Sequence, residues 1–115
     1  MLIGWATLKE VPDFGIDVAG EASNGWAYAQ SGDLVYVSGT VMLSAKDFSA
    51  YAAMGQTRLA EAIVLHELGH LVGLAHTADK TQVMFPRGNG ALTGYASGDR
   101  QGLATLGRGP CHPDL

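Results

Sequence analysis

Basic side chains are scarce in this sequence, and none of them cluster. Seven Lys and Arg are spread over 115 residues against eleven Asp and Glu, giving a formal net charge of −4. Nucleic acid is therefore not expected as a partner, because a phosphate backbone is held by a basic patch or stripe. Long apolar runs are lacking too. No stretch approaches the roughly 18 residues that cross a bilayer, so no membrane partner is expected. Met1–Leu8 carries no positively charged leader region, and the sequence as given is not expected to direct its own secretion. Cysteine is reduced to Cys111. A single thiol excludes an intrachain disulfide framework. It suits a reducing compartment, or a residue that has lost its partner.

What is present is a hydrophobic fraction of 47%, enough for one packed domain over residues 1–115. The 16 glycines follow no period and read as turns and loops. Leu2–Leu8 is a short apolar run that reads as a buried strand. Lys9–Gly25, with Pro12 and three glycines among four acidic residues, reads as a loop. Trp26–Gln30 alternates large and small residues as an edge strand would. Leu34–Leu43 is β-rich and is expected to pair with both earlier strands, with Gly39 marking a bulge or a loose point. Lys46–Gly55 holds at most a short helical turn. The three parts are thus residues 1–56, strands and loops; 57–76, a helix and turn; and 77–115, loops, a last helix and a tail.

The chemistry concentrates in His66-Glu67-Leu68-Gly69-His70-Leu71-Val72-Gly73-Leu74-Ala75-His76, an H-E-x-x-H-x-x-G-x-x-H pattern. Residues four apart on a helix lie one above the other, so His66 and His70 can address one metal ion. Glu67 stands beside them, suited to act as a base on a zinc-activated water. Gly73 can end the helix with positive φ and turn the chain so that His76 supplies a third ligand. Three neutral imidazoles leave a fourth position open, which is the catalytic pattern for zinc. Five fixed residues at these spacings arise by chance on the order of once in 10⁵ to 10⁶ such chains, which sets aside unrelated surface histidines.

The pattern resembles that of the metzincin metalloproteases. Val83-Met84-Phe85-Pro86 follows, with Met84 resembling the methionine turn of the matrixin branch, and Ser97–Gly107 resembles the matrixin C-terminal helix. The resemblance is sharp over residues 60–107 and looser over residues 2–50. It implies an α+β, zincin-like fold: a small mixed sheet packed on the active-site helix, a methionine turn and a C-terminal helix. It implies a zinc-dependent endopeptidase acting on peptides or proteins, with His66, His70 and His76 binding one catalytic ion and Glu67 as general base. It implies secretion or action outside the cytoplasm. It also places substrate contacts on the edge strand, at Trp26, Ala27 and Tyr28, and on the Asn89–Tyr95 segment, at Leu92, Thr93 and Tyr95. The alternative is a catalytically inactive zinc-binding fragment or structural module of a larger matrixin-like protein. Matrixins usually carry two strands and a long helix ahead of the region that Leu2–Ala6 resembles. The chain is accordingly expected to be N-terminally shortened, with Cys111 pairing upstream in fuller relatives.

Matrixins often bind calcium in acidic loops, which draws attention to Asp13, Asp17 and Glu21. Their spacing matches no calcium motif, and a solvated loop is the preferred reading. A second histidine-built zinc site is not expected, since Trp26 or Tyr28 stands where matrixins often carry a histidine. Asp79 is a candidate for orienting a ligand imidazole or, more simply, a turn residue.

Overall fold

The computed structural model describes residues 1–15 and 17–115; Ile16, inside the expected loop, lies outside them. Three strands form one mixed sheet in the order β1-β3-β2. β1 is Leu2–Ala6, β2 is Gly20–Tyr28 and β3 is Leu34–Ser44. β1 runs parallel to β3, and β2 runs antiparallel to it. Three helices follow: α1, Ala45–Ala53; α2, Thr57–Leu71; and α3, Ser97–Leu106. This is the expected α+β architecture, with β3 pairing both neighbours. Among the described residues no helix is long and apolar enough to cross a membrane.

The core lies where β3 meets α1 and α2. Val41, Leu43 and Phe48 are buried there, flanked by Ala22, Ile63, Val64, Leu68 and Leu71. Strand alternation explains it, because every second residue of β3 faces the helices. Gly39 belongs to that face. A Cβ on it would stand 2.4 Å from Leu71 Cδ1. The glycine therefore lets α2 lie close on the sheet. The irregularity in pairing falls elsewhere: Gly25 pairs Ser38 and Trp26 pairs Tyr36, leaving Val37 as the extra residue.

Three sequence expectations need correction. β1 is an edge strand and not a buried one: Leu2 and Trp5 are each 63% exposed, and only Ala6 is buried. Its outer edge pairs with no other strand among the described residues, so apolar side chains alone did not bury it. The expected loop 9–25 contains a 3-10 turn at Pro12–Gly15 and yields to strand from Gly20 onward. The length of β3 provides the template there, pairing Gly20–Asn24 residue by residue. The polar segment after β3 is a full nine-residue helix, α1. Ser44 caps it by accepting the Asp47 N–H at 3.3 Å, and Phe48 anchors it.

Candidate metal centre

α2 carries the first two histidines on one face, as the four-residue spacing requires. Its end is a Schellman motif. Gly73 adopts φ +110°, Gly73 N–H donates to His70 O at 3.0 Å, and Leu74 N–H donates to Gly69 O at 2.9 Å. This reversal brings His76 back to the helix. Nε2 of His66, His70 and His76 then stand 3.0 to 3.1 Å from one another.

His66 and His70 do not hydrogen-bond to each other through these nitrogens. His66 Nδ1 lies 2.8 Å from Val83 O, and His70 Nδ1 lies 2.8 Å from Leu74 O. A carbonyl only accepts, so both Nδ1 atoms carry the proton and both Nε2 atoms present lone pairs. Bare lone pairs converging on one point repel unless a cation lies between them. Zinc–nitrogen bonds of about 2.0–2.1 Å in a tetrahedral site separate the donors by about 3.3 Å. The triad is a few tenths of an ångström tighter, so the donor set fits such an ion. Among the described residues this is the one group of three or more His, Cys, Asp or Glu side chains able to hold a metal. Asp13, Asp17 and Glu21 form no such group.

Burial holds the His66 imidazole below the ordinary histidine value, with His70 and His76 pushing the same way against Val83 O and Asp99. Burial, then the nearby His70, lowers His76 as well. Both shifts favour the neutral form that binds metal. Glu67 goes the other way. Burial raises its carboxyl above the usual range, and Glu21 adds to this while His70 opposes it. The side chain lies against Gly20, where a Cβ would come within 2.6 Å of Glu67 Cγ.

Met84 is 2% exposed and lies under the helix. A Cβ on Gly69 would reach its sulfur at 2.3 Å, so Gly69 is the notch that admits it. The methionine's strand of backbone is held by Asp99, a buried residue of α3. One carboxylate oxygen accepts Val83 N–H at 2.8 Å and Ala96 N–H at 2.9 Å, and the other accepts Met84 N–H at 3.2 Å. Val83 in turn receives the His66 imidazole, so Asp99 reaches the first ligand through one peptide unit. Gln82 is the second buried clamp. Its carbonyl oxygen accepts Gly98 N–H and Asp99 N–H, and its amide donates to Asp79.

No motif in the sequence marks either Asp99 or Gln82 as part of the site. Asp79 is a turn residue, accepting Thr81 N–H at 2.9 Å and Thr81 Oγ1–H at 2.7 Å; it orients no imidazole. Backbone carbonyls do that instead.

The triad and Glu67 open into a cleft of about 860 Å³. One wall is Val18–Ala22 at the start of β2, and another is Leu59 and Ile63 of α2 with Pro86–Gly88. Trp26, Ala27 and Tyr28 do not line it. They lie at the far end of β2, where Trp26 and Tyr28 pack edge to face. β2 starts earlier than the expected strand, and its part that lines the cleft is Gly20–Ala22. Leu92, Thr93 and Tyr95 are also outside the lining. Tyr95 turns inward and its hydroxyl donates to Leu65 O at 2.7 Å, bracing α2.

A histidine triad positioned for zinc on an H-E-x-x-H helix, with a methionine packed beneath it, sets the chain among metzincin-type metalloproteins. It belongs to the matrixin family, whose model matches residues 13–106. No curated protein and no solved structure matches the chain.

Proposed function

We propose that this chain is a zinc-dependent endopeptidase with Glu67 as its general base. Membership of the matrixin family supports metalloprotease chemistry on peptide or protein substrates. The observation that carries the finer reading is the buried Glu67 carboxyl opening, with the converging Nε2 atoms of three histidines, onto one cleft. His66, His70 and His76 would hold the zinc. When bound, the ion supplies Lewis acidity, acidifying a water and polarising the scissile carbonyl by several kcal/mol. Glu67 receives a proton as water attacks and returns it to the leaving amine; its raised pKa suits both halves of that transfer. Val18–Ala22 and Pro86–Gly88 flank the peptide. Matrixins typically act outside the cell, and extracellular action is part of this proposal.

The test is cleavage of an unfolded protein by zinc-loaded chain, with Glu67→Ala beside it and zinc assayed in both. Turnover in the parent alone, at equal zinc, is the expected outcome. One zinc per chain with no turnover in either would favour the second reading, a metal-holding structural module. That reading draws on the apolar side chains exposed along β1.

A further inference from the structure

The strongest unused feature of the cleft is Arg87. It follows Pro86 on the wall that faces the metal ligands, and its side chain is exposed. Gly88 fixes the position of this wall: a Cβ there would stand 3.0 Å from Leu59 Cδ1 and 3.2 Å from Ile63 Cγ1, so the segment presses directly onto α2. Proline on one side and this close contact on the other hold the Arg87 backbone in place. Its guanidinium makes no hydrogen bond and no ion pair among the described residues; the one ion-pair contact there is His112 with Asp33, outside this cleft. The other charged residues of the cleft are Asp17 and Glu21, which stand on the β2 side together with Glu67, and the adjacent Lys46 and Asp47 at the start of α1, whose opposite charges offset each other. A substrate carboxylate is therefore repelled from one wall and attracted to the other.

Resting on the endopeptidase reading, we infer that Arg87 is a specificity residue that selects peptides presenting a carboxylate to the Pro86–Gly88 wall. A carboxylate matches the planar fork of an arginine with two parallel hydrogen bonds. It can come from a Glu or Asp side chain or from the end of a peptide. Exposed pairs contribute up to about 1 kcal/mol, so the preference is about three- to fivefold.

The experiment uses quenched fluorescent peptides with Glu or Gln placed at each position in turn, as amides and as free acids. Zinc-loaded parent, Arg87→Gln and Arg87→Glu are compared by the Glu/Gln ratio of kcat/KM within each protein, a ratio that cancels general losses of activity. A position favouring Glu in the parent, level in Arg87→Gln and reversed in Arg87→Glu, is the expected result. The preference should also shrink as salt rises. An effect confined to the acid-against-amide exchange assigns the carboxylate to the peptide terminus. A ratio near one at every position, or a Glu preference surviving in Arg87→Gln, overturns the inference. Affinity of the same peptides for zinc-loaded Glu67→Ala, with and without Arg87→Gln, reads the preference without turnover. Absence of cleavage by the parent thus counts against the endopeptidase reading, while binding still decides the role of Arg87.

Discussion

At the scale of single residues, the metal centre divides into what spacing announces and what it hides. His66, Glu67 and His70 were legible because a helix converts intervals of one and four residues into fixed directions, and His76 because Gly73 offers a turn that returns the chain to them. Asp99 was not, because its partners are backbone N–H groups of a segment with no regular structure, and no residue pattern advertises those. Yet Asp99 is nearly as central. It is 4% exposed and satisfies three N–H groups, two of them on Val83 and Met84. Asp99→Ala would leave buried donors without acceptors, at about 1–3 kcal/mol each. We expect a loss of at least about 3 kcal/mol in urea unfolding, with weaker zinc binding because the Val83 carbonyl no longer holds His66. A variant with parent stability and parent zinc affinity would show that the clamp carries neither.

At the scale of elements, the turn that ends α2 does the decisive work. The sequence showed a glycine where a helix could stop, and the structure adds the reason it must be glycine. Gly73 holds φ +110°, and a Cβ there would also stand 3.1 Å from the Tyr36 ring. Gly73→Ala therefore meets backbone strain of about 1–3 kcal/mol on top of a crowded contact. The strain falls on the hinge that returns His76, so zinc affinity should drop more than helix content. Isothermal titration beside far-UV circular dichroism separates the two. Equal affinity in parent and variant would mean that the third ligand finds the ion without this turn. The sheet was less legible than the helix. Periodicity identified β3, but the start of β2 depends on pairing with β3, and pairing is a tertiary fact. That is why the part of β2 that lines the cleft, Gly20–Ala22, falls outside the edge strand expected at Trp26–Gln30.

The whole molecule exposes more surface than its mass leads one to expect. Its accessible area is 7523 Å², against about 6000 Å² for a 12.0 kDa folded monomer. Its radius of gyration is 15.4 Å, against about 13 Å for a domain of this length. Among the described residues the buried part of the main core amounts to Val41, Leu43 and Phe48, of which Val41 alone is fully buried. Composition could not reveal this, since a 47% hydrophobic fraction says how much apolar material exists and not how much is covered. A small core makes the metal important to stability. The histidines come from α2 and from the loop after it, and the loop is tied to α3 through Asp99, so an ion closes these pieces into one unit. Zinc at a thousand times its dissociation constant adds about 4 kcal/mol. Spread over a chain of this size, that corresponds to roughly 15 °C in Tm. Chelation should therefore lower the thermal midpoint by about that amount, and added zinc should restore it. A midpoint that moves by less than about 2 °C on chelation would mean that the fold is complete without the ion, and that zinc serves the chemistry alone.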